Sequence, residues 1–290
     1  MTHPVKKAVF PVAGFGTRFL PATKSIPKEM LTVVDKPLIQ YAVEEAAAAG
    51  IEEFIFVTGR NKQAMEDHFD HAYELERTLA DRGGKEEALE SIRTPLKEAG
   101  AIKYVRQMQA LGLGHAVWCA RHMIGDEPFA VISPDDLVLA DAPCMAQLVE
   151  AHAETGGNVV AVMDVPREHT KRYGILDTPN AADRLAQIDG LVEKPDPADA
   201  PSTLSIIGRY ILQPEVFQHL SRHERGAGDE IQLTDAMAKL IGNQPFHGLR
   251  FDGERFDCGT KAGWLDANIA FSLAREDMAE ATRQTLKKYT

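Results

Sequence analysis

Short apolar runs alternate with segments of helical spacing through the first half of the chain, and this rhythm constrains the fold more than any other feature. Parallel strands need long crossover connections, usually helices, so the rhythm favours a mostly parallel sheet with helices on both faces. A long irregular loop is expected over 14–36, before a helix that begins after Pro37. The predicted strands are 5–13, 51–58, 102–107 and 129–133, and the predicted helices are 38–49, 61–82 and 114–124.

Beyond Gly157 the pattern changes to strand-like runs joined by short turns, which favours a mixed sheet in the second half. The chain then ends in a predicted long helix from about 261 to 288, whose apolar positions could pack on its own domain or on a second subunit. Because no internal repeat, low-complexity segment or evident linker is present, we expect a single domain over 1–290. The predicted strands of this half are 159–165, 174–177, 186–193 and 204–212.

The composition excludes several broad classes of protein. A net charge of −11 argues against extensive contact with nucleic acid or an anionic membrane. No uninterrupted apolar run reaches about 18 residues, so a membrane span is not expected. The three cysteines lie far apart without a CxxC pair, which predicts neither a disulfide framework nor a zinc site and suits a reducing cytoplasm.

A glycine-rich segment with the sequence GFGTR, residues 14–18, directly follows the first predicted strand. Small residues let backbone N–H groups approach a phosphate closely, as they do in other nucleotide-binding loops. A Rossmann fingerprint would require a third glycine where Phe19 stands, and a P-loop would require a Gly-Lys-Ser/Thr ending that is absent here. Taken alone, the segment fits a phosphate-binding loop and a simple tight turn equally well.

The sequence that continues from this loop resembles a known family. The stretch 10–51, FPVAGFGTRFLPATKSIPKEMLTVVDKPLIQYAVEEAAAAGI, is similar to the N-terminal signature of the bacterial UTP–glucose-1-phosphate uridylyltransferases, a branch of the sugar-1-phosphate nucleotidyltransferases. It is nearer to this uridylyl branch than to the thymidylyl branch. Further matches follow in order along essentially the whole chain: RQ at 106–107, GLGHAV at 112–117, PDD at 134–136, YG at 173–174, VEKP at 192–195, IIGRYIL at 206–212, GAGDEIQLTDA at 226–236 and DCG at 257–259.

The resemblance implies a fold and a reaction. The fold is a three-layer α/β/α sandwich with a Rossmann-like mixed central sheet, the nucleotide-diphospho-sugar transferase fold. The reaction is transfer of UMP from UTP to glucose 1-phosphate, giving UDP-glucose and pyrophosphate by in-line attack at the α-phosphorus with Mg²⁺ as cofactor. No covalent nucleophile is required, and no Ser–His or Cys–His constellation stands out in the sequence. Relatives commonly form dimers or tetramers, so a homodimer or homotetramer is expected.

Carboxylates at two predicted strand ends are the candidate metal ligands. Mg²⁺ is typically bound by one or two carboxylates together with substrate phosphates and water. By resemblance these carboxylates are Asp135 and Asp257, and Asp136 is the rival at the first position. Open α/β sheets bind their ligands beyond the carboxyl ends of the strands, which agrees with the place of Asp135 after a buried strand.

The remaining site residues are also assigned by resemblance. Arg18 is expected to face the triphosphate, Lys28 the phosphates near the transfer centre and Lys194 the phosphate of glucose 1-phosphate; with Asp135 these are the predicted catalytic residues. A carboxylate accepts sugar hydroxyls, and a side-chain amide both donates and accepts, as a uracil edge requires. The predicted nucleotide-binding residues are Ala13, Gly14, Gly16, Gln107 and Gly112, and the predicted sugar-phosphate-binding residues are Gly174, Glu193, Lys194, Ile207 and Gly208.

Two motifs are interpreted as structural. Cys258 has no adjacent lysine or histidine in sequence to activate a thiol, so we expect a small buried residue. The stretch 226–236 is expected to begin a helix and to support the site.

Two rival functions stay open at this point: synthesis of another nucleotide sugar such as dTDP-glucose, and a catalytically silent nucleotide-sugar sensor.

Overall fold

The computed structural model describes residues 3–289, so the ends of the predicted domain 1–290 lie outside the described range. Within it, the strands are β1 (Lys7–Pro11), β2 (Thr32–Val33), β3 (Lys36–Pro37), β4 (Glu53–Thr58), β5 (Ile102–Arg106), β6 (Phe129–Ile132), β7 (Asp136–Leu139), β8 (Asn158–Asp164), β9 (Gly174–Asp177), β10 (Leu185–Gln187), β11 (Gly190–Glu193), β12 (Leu204–Leu212), β13 (Phe246–Arg250) and β14 (Glu254–Asp257). The helices are α1 (Leu38–Ala48), α2 (Gln63–His68), α3 (Tyr73–Arg82), α4 (Glu86–Arg93), α5 (Leu113–Cys119), α6 (Arg121–Ile124), α7 (Cys144–Thr155), α8 (Val216–Leu220), α9 (Leu233–Ala238), α10 (Lys261–Ala274) and α11 (Ala279–Leu286). None of the helices between residues 3 and 289 has both the length and the apolar character needed to cross a membrane.

A ten-stranded sheet is the framework of the fold. Its main path runs β10-β13-β8-β12-β6-β1-β4-β5, with β9 pairing both β12 and β11 at one side. β1 is parallel to its neighbours β4 and β6, and β5 is parallel to β4. β12 runs antiparallel to β6 and to β8. The predicted mixed sheet is confirmed, and the carboxyl ends of β1, β4, β5 and β6 share one edge.

Alternating residues of the central strands fill two separate cores, one on each face of the sheet. On β1, Val9 packs in the core that includes residues of α5, α8 and α9, whereas Ala8 and Phe10 pack in the core that includes residues of α1 and α7. Both faces of the sheet are therefore covered by helices. This arrangement confirms the predicted three-layer α/β/α sandwich.

A small antiparallel ribbon, β7 paired with β14, stands beside the main sheet. Its apolar residues Leu137 and Phe256 pack with Val33 of β2 and Ala267 of α10 in a third apolar cluster. Because α10 and β2 cover the ribbon, the two strands keep a fixed register in which Asp136 pairs with Asp257. The ribbon thereby brings two distant carboxylates to one place.

Three predicted elements are wrong because each contains a break. The predicted helix 114–124 divides into α5 and α6. The predicted helix 61–82 is α2 and α3: Phe69 turns into the core against Phe56, with ring centroids 5.4 Å apart, whereas α3 buries none of its residues. The predicted strand 186–193 is β10 and β11, which pair with different partners, β13 and β9.

The predicted terminal helix 261–288 is also wrong as a single helix. It is α10 and α11, separated at Arg275, whose backbone is extended with φ −92° and ψ 130°. The guanidinium of Arg275 pairs with Asp35 at 2.6 Å and with Asp277 at 2.7 Å. One of these ion pairs is local and the other reaches the loop before β3, and both lie at the break between the two helices.

Other elements were missed or found as predicted. The predicted strands 174–177 and 204–212 coincide with β9 and β12. The predicted loop 14–36 contains three short 3-10 helices and the strand β2. The elements β7, β13, α4, α7 and α8 were not predicted, although α7 has the helical signal, since buried residues recur at Met145, Leu148 and His152.

Arg209 of β12 is a fully buried cation that ties the sheet to α1 and to the turn between β6 and β7. Nε donates to Glu45 Oε1 at 2.9 Å, and Nη2 donates to Glu45 Oε2 at 2.7 Å. The other donors reach the carbonyl oxygens of Ser133 at 3.0 Å, Gly208 at 3.0 Å and Asp136 at 2.7 Å. Burial opposes the charge, but Glu45 outweighs it, so the pKa of Arg209 is raised. All five N–H donors of the guanidinium are used.

Glu45→Gln is expected to lower the free energy of unfolding by about 3–5 kcal/mol, because it leaves a buried guanidinium without its counter-charge. Chemical denaturation followed by circular dichroism measures this loss. Glu52→Gln is the control, since Glu52 pairs with Lys6 on the surface and little change is expected there. A loss in Glu45→Gln no larger than in the control would contradict the assigned role of the pair.

Candidate active site

The glycine-rich segment leaves β1 and continues as the 3-10 helices Thr17–Phe19, Ala22–Lys24 and Lys28–Met30. Gly16 has φ 66°, and a Cβ at this position would lie 2.8 Å from Lys28 Cβ. Any other residue would therefore meet both backbone strain and a steric clash. Glycine at this position lets the two ends of the loop pack together, and the Lys28 side chain passes beside Gly14.

Lys28 and Asp135 form the central ion pair of the site, with Lys28 Nζ 2.5 Å from Asp135 Oδ2. Burial acts against both charges, but the charge of each partner outweighs it. The pKa of Lys28 is consequently raised and the pKa of Asp135 is lowered. Both groups are charged at neutral pH, and each side chain keeps about a quarter of its surface exposed.

A second, deeper ion pair supports the loop and was not predicted. Lys62 Nζ lies 2.7 Å from Glu29 Oε2 and donates a hydrogen bond to the Gly14 carbonyl oxygen at 2.8 Å. Burial raises the pKa of Glu29 and lowers the pKa of Lys62, so the pair is held together against a desolvation cost. Glu29 follows Lys28 directly, but no sequence signal marks Lys62 as its partner.

Asp135 and Asp257 face the same small space beside Gly259. A Cβ on Gly259 would lie 3.0 Å from Asp257 Oδ1, 3.1 Å from Asp135 Oδ2 and 3.4 Å from Arg18 Nη1. Two converging carboxylate oxygens fit a hard divalent cation that takes its other ligands from phosphates and water. Within residues 3–289, no group of three or more histidine, cysteine, aspartate or glutamate side chains could hold a metal by itself.

Asp136 is engaged in holding neighbouring elements together. Its Oδ2 accepts a hydrogen bond from the Gly208 amide at 2.8 Å, and its Oδ1 pairs closely with Arg255. Burial and the charge of Asp135 raise the pKa of Asp136 despite Arg255. These two contacts hold Asp136 to Gly208 and Arg255, whereas Asp135 Oδ2 and Asp257 Oδ1 face the space beside Gly259, so the geometry favours Asp135 over Asp136 as a ligand for a metal or phosphate group.

A cleft of about 480 Å³ lies beside the Lys28–Asp135 ion pair and is the candidate active site. The predicted residues that line it are Arg18, Asp135, Gly174, Glu193, Lys194, Ile207, Gly208 and Asp257. The predicted residues outside its lining are Ala13, Gly14, Gly16, Lys28, Gln107 and Gly112. Lys28 joins the two groups, since it contacts Asp135 in the cleft and Gly14 in the loop.

The predicted sugar-binding residues meet where β9 and β11 pair, with Glu193 directly opposite Gly174. A Cβ on Gly174 would lie 3.0 Å from Thr234 Oγ1 and 3.3 Å from Glu193 Oε2, so glycine leaves room for both side chains. Lys194 has a left-handed backbone with φ 51°, and its Nζ lies 3.0 Å from Glu193 Oε1. Such backbone strain in a non-glycine residue is concentrated at functional sites.

The predicted nucleotide-binding residues lie along the neighbouring strand ends. The backbone N–H of Gln107 donates to the carbonyl oxygen of Thr58, the last residue of β4, at 2.8 Å. The next residue, Gly59, lies against Ala13, because a Cβ there would be 3.0 Å from the Ala13 carbonyl oxygen. Gln107 Nε2 also donates to the Gly112 carbonyl oxygen at 3.1 Å. These residues therefore form one continuous edge next to the cleft.

The stretch 226–236 supports the site, as expected, and also contributes to the cleft. Gly112 has φ 103°, and a Cβ there would lie 2.8 Å from Glu230 Cβ and 2.9 Å from the Ile231 carbonyl oxygen. The predicted helix beginning is confirmed as α9. The contribution to the cleft was not predicted, and its members are Glu230, Gln232, Leu233 and Thr234.

Two arginines of the cleft were also missed. Arg172 Nη2 lies 2.8 Å from Asp257 Oδ2, and Arg255 pairs with Asp136. Both lie close in sequence to motifs that were recognised, since Arg172 precedes Tyr173 and Arg255 lies on β14 just before Asp257. Position relative to a strand end could have identified them, whereas their partners could not be read from the sequence.

Cys258 is a small buried residue, as predicted. Its side chain packs in the third apolar cluster together with Phe256 and Leu137. Burial, with the nearby carboxylates of Asp136 and Asp135, raises the pKa of the Cys258 thiol to about 12. The thiol is therefore protonated at neutral pH and is not an activated nucleophile.

Comparison with known proteins identifies the family of the chain. The profile of the nucleotidyl transferase family matches residues 7–273, which is nearly the whole chain. The chain belongs to the nucleotidyl transferase family. The match spans both the glycine-rich loop and the ribbon that carries Asp257.

The similar proteins point to one branch of that family. The chain is 57% identical over 265 residues to a UTP–glucose-1-phosphate uridylyltransferase of Komagataeibacter xylinus, covering 91% of this chain and 93% of that one. A UTP-bound UGPase from Acinetobacter baumannii has a TM-score of 0.90 at 40% identity, covering 99% of this chain and 100% of that one. A UDP-glucose pyrophosphorylase complexed with UDP-glucose has a TM-score of 0.85 at 44% identity, covering 93% and 100%.

Gly16→Ala is expected to destabilise the protein by roughly 2–4 kcal/mol, because left-handed strain adds to the overlap with Lys28. Gly50→Ala is the matched control: its φ is 84°, but a Cβ there meets nothing within 4 Å. The control should show the backbone strain alone, about 1 kcal/mol. Thermal unfolding of the two variants and the parent compares them, and equal losses would show that the close approach of Lys28 is unimportant.

Proposed function

We infer that this protein is a UTP–glucose-1-phosphate uridylyltransferase, which transfers UMP from UTP to glucose 1-phosphate and releases pyrophosphate. The observation that carries this inference is the cleft itself, where Asp135, held by Lys28, meets Asp257 and where Glu193 pairs with Lys194. Relatives that match over almost their whole length have this activity by name. Related structures hold UTP and UDP-glucose.

Both reactants are polyanions, so alignment and neutralisation of phosphate charge are the main tasks of the protein. We propose that Arg18 and Lys28 contact the phosphates of UTP, with Lys28 close to the α-phosphate. Lys28 is held by Asp135 and is therefore charged and oriented before the substrate arrives. Electrostatic stabilisation by such fixed charges costs no reorganisation during the reaction.

Enzymes of this family generally use a divalent metal, and we propose Mg²⁺ for this chain. Asp135 and Asp257 would hold it, since one oxygen of each faces the space beside Gly259. A bound Mg²⁺ would polarise the phosphoryl oxygens and offset the charge that develops during transfer. Arg172 and Lys28, which contact these two aspartates, keep them oriented toward that space.

The acceptor is proposed to bind between β9, β11 and β12. Glu193 would accept hydrogen bonds from glucose hydroxyls, and Lys194 would contact the phosphate of glucose 1-phosphate as a point charge. Gly174, Ile207 and Gly208 would leave space and backbone groups for the sugar. Lys194 and Asp135 line the same cleft, so the phosphate of glucose 1-phosphate would lie within reach of the proposed metal site.

The nucleotide is proposed to lie along the strand ends next to the cleft. Ala13, Gly14 and Gly16 would contact it through the backbone, and Gln107 and Gly112 would contact the base. The Lys62 bond to the Gly14 carbonyl oxygen directs that carbonyl into the protein. The loop can then present its amide groups to phosphate.

Assembly and location are further proposals. We propose a homodimer or homotetramer in the cytoplasm, where a reducing environment would keep the three free cysteines reduced. Leu265 of α10 is half-exposed, which is compatible with a subunit contact along this helix. Analytical ultracentrifugation of the purified protein distinguishes a monomer, dimer and tetramer.

The reaction is tested by pyrophosphate release from glucose 1-phosphate with UTP, dTTP, CTP, ATP or GTP supplied separately in the presence of Mg²⁺. We expect the highest kcat/KM with UTP, and loss of activity in EDTA that excess Mg²⁺ restores. A preference for dTTP would keep the chemistry and change the product to dTDP-glucose. Absence of release with every nucleotide would instead support a silent sensor.

Asp135→Asn is expected to lower kcat by at least about 10²-fold, because it removes a charge that acts near the transferred phosphate. Steady-state kinetics with UTP at saturating Mg²⁺ measure the effect. Asp141→Asn, which changes an exposed residue of the same chain region, is the control and should leave kcat unchanged. If both variants keep the parental kcat, Asp135 is not part of the catalytic site.

A further inference from the structure

Both N–H groups of the Gln107 side chain are bound within the protein. Nε2 lies 3.1 Å from the Gly112 carbonyl oxygen and 2.9 Å from His115 Nδ1. A carbonyl oxygen can only accept, so the atom that faces it must be the amide nitrogen. His115 Nδ1 must then accept the second N–H, which places the proton of the imidazole ring on Nε2.

The opposite end of the same amide is open. Gln107 Oε1 has no hydrogen-bond partner within residues 3–289, and it is not among the buried polar atoms that lack one. Since the two N–H groups are used, the side chain offers an incoming molecule one kind of contact only. It can accept a hydrogen bond and cannot donate one.

The surroundings of His115 keep its ring in place and uncharged. Trp118 stacks on it, with ring centroids 5.8 Å apart and an interplanar angle of 27°. The ring of His223 lies edge-on to His115, with centroids 5.6 Å apart. The guanidinium of Arg121 covers the Trp118 ring, with its Cζ 3.6 Å from the Trp118 centroid. Burial, followed by His223 and Arg121, lowers the pKa of His115, so Nδ1 remains an acceptor at neutral pH.

We propose that His115 is a positioning residue for base selection, because it binds the second N–H of Gln107 and, together with the Gly112 carbonyl oxygen, leaves that amide only its own carbonyl oxygen for the base. This inference rests on the proposed function, in which Gln107 contacts the base of UTP. Uracil and thymine have an N3–H that can be donated to Gln107 Oε1. Cytosine has an unprotonated N3 at the same place. Cytosine N3 and Gln107 Oε1 would then both be acceptors, and no hydrogen bond could form between them.

The glycines around His115 support this arrangement. Gly114 donates its amide to the Ile231 carbonyl oxygen at 2.9 Å, and a Cβ on Gly114 would lie 2.8 Å from that oxygen. The close approach fixes the start of α5 against the 226–236 stretch. His115, one residue later, is thereby held within reach of Gln107.

The test compares kcat/KM for UTP and for CTP in the full-length protein, with glucose 1-phosphate as acceptor. His115→Phe keeps an aromatic ring against Trp118 but removes the acceptor, and we expect the UTP/CTP ratio to fall about tenfold. His115→Asn keeps an acceptor near the position of Nδ1 and should retain most of the ratio. His122→Phe, on the exposed side of α6, is the control and should not change it.

A double-mutant cycle shows whether His115 acts through Gln107. In a Gln107→Leu background, His115→Phe should cause no further change in the UTP/CTP ratio. Equal losses with UTP and CTP in His115→Phe, or a fall in the ratio that persists in the Gln107→Leu background, would overturn the proposal. Either result would leave His115 with a structural role only.

Calorimetric binding of UTP and CTP separates failure of this inference from failure of the proposed function. If the parent protein releases no pyrophosphate, the proposed reaction is wrong, but the same variants can still be compared by the dissociation constant for CTP divided by that for UTP. A lower ratio in His115→Phe alone would support the positioning role. A parent protein that binds both nucleotides equally would overturn it.

Discussion

One buried guanidinium organises the centre of this molecule. Arg209 makes five hydrogen bonds that join α1, β12 and the turn after β6, and three of its acceptors are backbone carbonyl oxygens of that turn and of Gly208. The turn carries Asp135, so the position of the candidate catalytic carboxylate depends on a cation that never reaches solvent. Desolvation makes such a network costly unless every donor is satisfied, and here every donor is.

Above this network, the site alternates charges of opposite sign in a chain that is strongly acidic overall. Lys28 pairs with Asp135, Lys62 with Glu29, Arg172 with Asp257 and Arg255 with Asp136. Each cation is oriented by a carboxylate before any ligand binds. A locally balanced cluster of this kind can bind polyanionic substrates even though the net charge of the protein would repel them, because short-range contacts outweigh the screened distant field.

The sequence predicted those parts of the molecule whose causes are local. Strand β12 is a mostly apolar run, and Gly16 follows a strand in a recognisable loop, so both were found with their correct positions. The breaks at Phe69 and Arg275 were missed, because each depends on which surface the chain meets. Lys62, Glu45 and Arg209 were missed for a related reason: a buried charge is explained by its partner, and the partner lies far away in sequence.

The β7–β14 ribbon limits how this protein can vary. Its register sets Asp257 opposite Asp136 while Phe256 and Leu137 point into the apolar cluster beneath α10. Neighbouring side chains on a strand face opposite ways, so a shift by a single residue would exchange an aspartate for a phenylalanine at the cleft. Insertions and deletions of one residue should therefore be absent from both strands among related chains.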